Sequence, residues 1–272
     1  MSEILSIEKC GWRAHISMLG GTVRSVQTPS GRELLAMPEN VDSLPPGTEI
    51  HGGIPICWPW FAQFGPVPSS RLHGIVRYQT WSVRERKSDR LVLASTDTDE
   101  TMGDWPYRFS VEAEYLLTGE SFSLTFRATN RGDEPFACTD GFHPYFLVER
   151  ALGSTVDGVD GLRYYRNTEA GLGSNRRFSG AYVAGVSSVQ FWEGSRRHVL
   201  TDAGSGRRLT IVCEGNRNLD IWVAQPEFSF GMPVPADFAR HFVCVEPAMS
   251  RPDSAYVLSP GETRLLRMTV SV

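Results

Sequence analysis

The chain sets 27 basic against 31 acidic residues over 272 positions, a formal net charge of −4, and carries 26 glycines and 17 prolines. An acidic balance excludes a general nucleic-acid binder, which needs a basic face for phosphates; the arginine pairs at 176–177, 196–197 and 207–208 read as solvated turns and strand edges. The length suits one large core, a size that all-β architectures reach as a single domain, here 1–272.

From the N-terminus the pattern is one of short strands. Residues 12–19 and 22–28 flank a Gly20-Gly21 turn, and Pro29-Ser30-Gly31 closes the second strand. A turn-rich stretch, 38–47, leads into residues 51–81, HGGIPICWPWFAQFGPVPSSRLHGIVRYQTW, which have neither a helical nor an alternating period. Proline and packed rings hold such a segment rigid, and loops fixed on a scaffold are where binding groups sit. Its polar groups are His51, Gln63, Arg71, His73 and Arg77, on an aromatic floor that includes Trp58 and Trp60. That set suits a ligand with a flat apolar face and a hydroxylated rim, such as a sugar. By themselves the same residues fit a packed corner of a β protein equally well.

Beyond Trp81 the pattern is plainly β. Residues 91–95 are apolar. Val111, Ala113, Tyr115 and Leu117 alternate with polar positions, Thr118-Gly119-Glu120 turns the chain, and Phe122, Leu124, Phe126 and Ala128 alternate on the way back. Arg131-Gly132-Asp133 reads as turn chemistry. Further strands are expected at 198–202, 208–213, 219–224, 242–245 and 265–270, while 151–185 carries no readable pattern. There is no long amphipathic helix, linker or internal repeat. The expected fold is one all-β domain, a large sandwich of antiparallel sheets.

Five cysteines (Cys10, Cys57, Cys138, Cys213, Cys244) are odd in number and lie mostly among apolar neighbours, which points to reduced, buried thiols. No signal-peptide pattern opens the chain and no apolar run approaches about 18 residues, so a cytoplasmic location without membrane insertion is expected.

Three ionisable groups stand where strands meet loops. One is His73. The second is His143, in Thr139-Asp140-Gly141-Phe142-His143-Pro144-Tyr145-Phe146. The third is Glu246, after the apolar run 242–245 and before Pro247, which is expected to end the strand. A carboxylate at the edge of a core is partly desolvated, which raises its pKa toward the range of a general base. The alternatives are an exposed strand-end carboxylate and a histidine bonded to a carbonyl in an aromatic core. A metal site built from His51, His73, His143 and Glu246 would lack any close ligand spacing. A G-x-S-x-G elbow is absent. Neither a metal nor a cofactor is expected.

Taken together these motifs resemble the aldose 1-epimerase (mutarotase) superfamily. Gly52-Gly53-Ile54-Pro55, Pro59-Trp60-Phe61, His73-Gly74-Ile75-Val76-Arg77, GFHPYF around His143, VCVEP around Glu246 and Leu258-Ser259-Pro260-Gly261-Glu262 follow in family order. More narrowly the chain is similar to the hexose-6-phosphate mutarotase branch, where RGGIP precedes HGFAR. The resemblance implies a galactose mutarotase-like supersandwich and an isomerase that interconverts the α and β anomers of a hexose 6-phosphate, such as glucose 6-phosphate. It implies His143 as general acid and Glu246 as general base, with no cofactor because the chemistry is proton transfer. Substrate binding then falls to His73, Arg77, His51, Arg71 and Asp220, with Trp58 or Trp60 stacking on the sugar and Arg77 carrying most of the phosphate recognition.

His51 stands where the branch usually has arginine, and an imidazole lacks the guanidinium fork. An unphosphorylated aldose is therefore the alternative substrate. A non-catalytic carbohydrate-binding protein of the same fold is the other alternative, and it would need neither the acid nor the base. The expected partner is a small-molecule sugar or sugar phosphate, with no nucleic acid, no membrane, and the chain as a monomer.

Overall fold

Alternation builds the larger of the two main sheets. Strands β7 (Phe109–Leu117) and β8 (Ser121–Asn130) pair in register from Phe109↔Asn130 to Leu117↔Phe122. Successive side chains leave opposite faces of a strand, so Val111, Ala113, Tyr115 and Leu117 are buried together with Phe122, Leu124, Phe126 and Ala128. The structure is a computed structural model describing residues 3–39, 41, 48–66, 71–166, 176–185, 188–192, 196–224 and 235–272. Of the stretches named above, residues 40, 42–47, 67–70 and 167–175 lie outside the described residues.

Numbered in chain order, the nine-stranded sheet runs β14 (Tyr182–Val183), β12 (Thr155–Asp157), β16 (Arg197–Thr201), β17 (Arg208–Glu214), β21 (Thr263–Ser271), β8, β7, β6 (Arg90–Thr96), β5 (Ser82–Arg86). A seven-stranded sheet runs β13 (Arg163–Arg166), β15 (Val189–Trp192), β18 (Asn218–Trp222), β19 (Phe242–Ala248), β10 (Gly141–Phe142), β4 (Ile56–Cys57), with β11 (Tyr145–Leu147) also on β19. Two smaller sheets join β1 (Ile4–Lys9), β2 (Trp12–Ser17) and β3 (Val23–Gln27), and β9 (Phe136–Cys138) with β20 (Tyr256–Leu258). The pairings between these strands are antiparallel, and among the described residues a single parallel bridge joins Trp58 to Gly74.

The two large sheets share one core. Val111, Tyr115 and Phe126 of the larger sheet belong to the same buried cluster as Phe191, Leu219, Ile221, Val243 and Val245 of the smaller. Burying each such side chain contributes about 1.5–3 kcal/mol. The β1–β3 sheet adds Ile7, Trp12, Ile16 and Val23 to the cluster, and the Tyr115 hydroxyl donates to the Gly21 carbonyl.

The expected strands all form, with β6, β17, β19 and β21 running past the expected bounds and β2, β3 and β18 stopping short of them. Strands β1, β4, β5, β9 to β15 and β20 were not expected, most of them only two to four residues long; β5 is SVRER, largely exposed, and its pairing with β6 rather than any alternation makes it a strand. The α-helices among the described residues are short: α1 (Asp99–Asp104), capped by the Thr98 hydroxyl accepting from the Thr101 amide, and α2 (Ala236–Ala239), with 3-10 turns at Val76–Tyr78 and Pro252–Ser254. No helix among the described residues is long and apolar enough to cross a membrane.

One expectation is corrected at the strand that matters most. Pro247 does not end the strand, because β19 continues through it to Ala248. On one side β19 pairs with β11 only over 242–244 and with β10 only at Ala248. Residues 245–247 face the gap between those two short strands, and a proline is tolerated where a neighbouring strand asks for no N–H.

Candidate functional site

The seven-stranded sheet has a second face, and period-2 geometry decides what it carries. Leu219, Ile221, Val243 and Val245 point into the sandwich core. Their alternates Asp220, Trp222, Cys244 and Glu246 therefore leave the opposite face. The register places Asp220 across from Glu246, Trp222 across from Cys244, Tyr145 across from Cys244 and Gln190 across from Asp220. His143 sits in the gap between β10 and β11, its amide donating to the Pro55 carbonyl at 3.1 Å. Its Nδ1 lies 3.7 Å from Glu246 Oε1, and among the described residues neither atom has a hydrogen-bond partner although both are buried.

Aromatic rings hold this imidazole. Tyr145 stacks on it at 4.8 Å and 9°, Phe61 lies near-parallel to it at 6.3 Å and 17°, and Trp222 meets it edge-on at 5.7 Å. Phe61 reaches this position because Gly141 has no side chain, since a Cβ there would overlap the Phe61 ring.

The loop from residue 48 onward covers the face. His73 has φ of +60° and Gly74 +82°, and a Cβ on residue 74 would overlap the Trp58 carbonyl, so this turn requires glycine. The turn returns the chain on itself: the His73 amide donates to the Ala62 carbonyl at 2.8 Å and the Ala62 amide donates to His73 Nδ1 at 3.1 Å. With Nδ1 accepting, a neutral His73 carries its proton on Nε2. Its ring meets His143 edge-on at 5.0 Å. Nearby, His51 Nδ1 lies 3.2 Å from the Tyr145 hydroxyl. Arg77 donates through Nη1 to Glu49 at 2.8 Å and through Nη2 to the Ile50 carbonyl at 3.0 Å.

Burial sets the charge states. Desolvation, aided by the Arg77 charge, holds His143 well below the usual imidazole range. Desolvation likewise lowers His73, and it brings His51 down to about 4. Glu246 is pushed well above the carboxylate range, first by burial and second by the Asp220 charge. Neutral forms are thus favoured on both sides of the 3.7 Å gap.

Asp220 is pushed up to about 7 by burial, against hydrogen bonds from Ser250 Oγ and Gln190 Nε2, each at 2.9 Å. A carboxyl raised in the folded state binds its proton more tightly there than in the unfolded chain. Its stabilising contribution is complete below the ordinary aspartate value of 3.8 and is lost as pH rises through about 7. The histidines contribute the opposite sign, so a difference measurement isolates Asp220. In urea titrations from pH 4 to 8, the stability of Asp220→Asn relative to wild type should rise with pH across that window. A pH-independent difference would remove the proton from Asp220.

Of the residues singled out in the sequence, His143, Glu246, Asp220, His73 and His51 come together on this face, with Arg77 beside them. Three do not, and those expectations are corrected. Trp58 is fully buried against Phe109, Phe126 and Phe136, behind the loop and inside the sandwich. Trp60 is buried against Trp105, its indole N–H donating to the Arg71 carbonyl at 2.7 Å. A loop this rich in tryptophan needs rings to fill its own interior, so neither ring offers a face to a sugar. Arg71 lies over Tyr78, 3.7 Å from Glu100, on a 440 Å³ groove with Ser82 and Thr98, and none of these contacts is with the His143–Glu246 pair.

Phe61, Tyr145, Trp222, Cys244 and Glu49 were not singled out. Strand alternation from Glu246 and Asp220 reaches Cys244 and Trp222; Glu49 lies in a stretch with no period and had no signal. Among the described residues, His143, Cys244 and Glu246 form a group with metal-ligating atoms, all within 4.8 Å of one another. That set differs from the four ligands considered from sequence.

A buried histidine and glutamate thus face one another on the outer face of the seven-stranded sheet, beside a Gly-Pro-aromatic loop. The sequence model of the family described as aldose 1-epimerase matches residues 3–271. The chain belongs to the aldose 1-epimerase family. It is 27% identical over 275 residues to a Cenchrus ciliaris protein named "Putative glucose-6-phosphate 1-epimerase", covering 95% of this chain and 80% of that protein. Crystal structures of a galactose mutarotase related enzyme from Lactobacillus acidophilus and a galactose mutarotase-like protein from Lactobacillus casei ATCC 334 share the fold. Their TM-scores are 0.78 and 0.77 at 16% and 18% identity. The matches cover 99% of this chain in each case, and 97% and 99% of the respective relatives.

Proposed function

We propose that this isomerase interconverts the α and β anomers of an aldose by ring opening, with Glu246 and His143 exchanging protons with the sugar. The observation that carries the reading is the buried pair His143 Nδ1 and Glu246 Oε1, facing one another at 3.7 Å with no hydrogen-bond partner among the described residues. The anomeric hydroxyl and the ring oxygen are bonded to the same carbon, so an adjacent acid and base can serve both. Ring opening moves a proton off the hydroxyl and another onto the ring oxygen. The pair holds one exchangeable proton whichever partner carries it, and closure on the other face reverses the roles. His73, with its Nε2–H, supplies a neutral donor for a sugar oxygen, and half-buried Trp222 offers a ring edge beside His143.

Two substrate classes stand. The name of the Cenchrus ciliaris relative and the presence of Arg77 support a hexose 6-phosphate, glucose 6-phosphate among them. The engagement of Arg77 by Glu49 supports an unphosphorylated aldose, and the geometry favours this second reading. NMR exchange spectroscopy on a panel of aldoses and their 6-phosphates tests the activity. Catalysed exchange should survive dialysis against EDTA, because proton transfer by two side chains asks for no ion. Loss of activity restored by a divalent cation would instead make His143, Cys244 and Glu246 its ligands.

A further inference from the structure

The positive charge available to the sugar can be counted. The segments outside the described residues contain no lysine, arginine or histidine, so every candidate cation is placed. Arg77 is the guanidinium whose charge acts on His51, His73 and His143 alike. It is already engaged: Nη1 and Nη2 donate to Glu49 and to the Ile50 carbonyl, and the Arg77 and Glu49 side chains are 5% and 20% exposed. Arg71 sits on the outer groove with Glu100, and Arg251 is held by Asp253 at 3.3 Å and Gln190 at 3.2 Å. His51, lowered to about 4, adds no charge near neutral pH. The same face carries the carboxyl groups of Glu246 and Asp220.

We propose that Glu49 is a specificity-determining residue: by holding the Arg77 guanidinium it leaves the site without an uncommitted cation and selects a neutral aldose over its 6-phosphate. The inference rests on the mutarotase reading above. A phosphate brought to Arg77 meets the Glu49 carboxylate, a like charge at close range. Displacing that carboxylate leaves it part-buried and unpaired, which is the costly way to break such a pair. A neutral sugar asks for no displacement. Its hydroxyls can accept from His73 Nε2–H while the ion pair stays closed. Without Glu49 the guanidinium would be free to present a fork, the geometry that suits phosphate.

The test compares kcat/KM for anomer exchange of glucose and galactose with their 6-phosphates. Wild type should favour the free sugars by about tenfold or more. In Glu49→Gln the ratio of phosphosugar to free sugar should rise about 10- to 100-fold, the gain of one charge-assisted bond. Glu49→Asp should keep the wild-type ratio. A purely structural role would lower both substrates together and leave the ratio unmoved. Wild type that handles the 6-phosphates as well as the free sugars, or a folded Glu49→Gln with an unchanged ratio, overturns the proposal. If Glu49→Gln does not fold, the wild-type ratio decides alone. Absence of catalysed exchange on every sugar overturns the mutarotase reading itself, and with it the proposal, a result distinct from a preference for phosphate.

Discussion

Replacing Glu246 by glutamine should lower the rate of anomer exchange by ~10²–10⁴-fold, the usual cost of losing a general acid–base group. The exchange is glutamate for its near-isostere, so the strand and its neighbours keep their shape. A glutamine amide is no proton carrier at neutral pH, and the single exchangeable proton shared with His143 loses one of its two sites. His143→Asn should be similarly slow. The double variant should be little worse than either single one, because two groups that pass one proton act as a unit. NMR exchange rates at saturating sugar, with circular dichroism to confirm folding, measure this. Wild-type turnover in a folded Glu246→Gln would take the carboxyl out of the mechanism.

Trp58→Ala should act on stability rather than on sugar affinity. The indole is fully buried, its ring centroid 4.8 Å from that of Phe109, with Phe126 and Phe136 beside it. Emptying a site of that size costs about 3–5 kcal/mol, which for a chain of this length lowers the melting temperature by roughly 6–20 °C. The loss comes from the joint between the loop and the sandwich, since Trp58 lies one residue from Pro59 and its carbonyl accepts the Ile75 amide at 2.9 Å. Thermal melts read the effect. A variant with unchanged melting temperature and a raised KM would return Trp58 to the sugar-stacking role that its composition suggested.

The difference between those two residues is instructive about reading loops. Residues 51–81 are recognisable as rigid from proline and aromatic content, yet nothing in a non-periodic segment says which ring faces inward. His73 shows the same limit. That a histidine there serves the site follows from the resemblance, but its tautomer follows from the Ala62 amide, an atom eleven residues away in the chain. The opposite holds for Cys244 and Trp222. Both are two residues from a singled-out carboxylate on a strand, and the two-residue period already places them on its face.

What the sequence determined by itself is what local periodicity and turn chemistry encode. The β7–β8 hairpin is written as two alternating arms around Gly119, and the apolar run 242–245 states that Glu246 begins beside a core. The order of motifs from Gly52 to Glu262 marks the family. What only tertiary structure decided depends on groups remote in sequence meeting in a low-dielectric space. The β10–β11 gap lets β19 run through Pro247 and brings His143 to within 3.7 Å of Glu246. Burial from both sides then turns an ordinary carboxylate and imidazole into a pair biased toward their neutral forms. Folding also closes Glu49 onto Arg77 across 28 residues, and a charge seen in the sequence as free becomes one already spoken for. Charge is additive along a chain, but its availability is set by distance and solvent, and those exist only once the chain has folded.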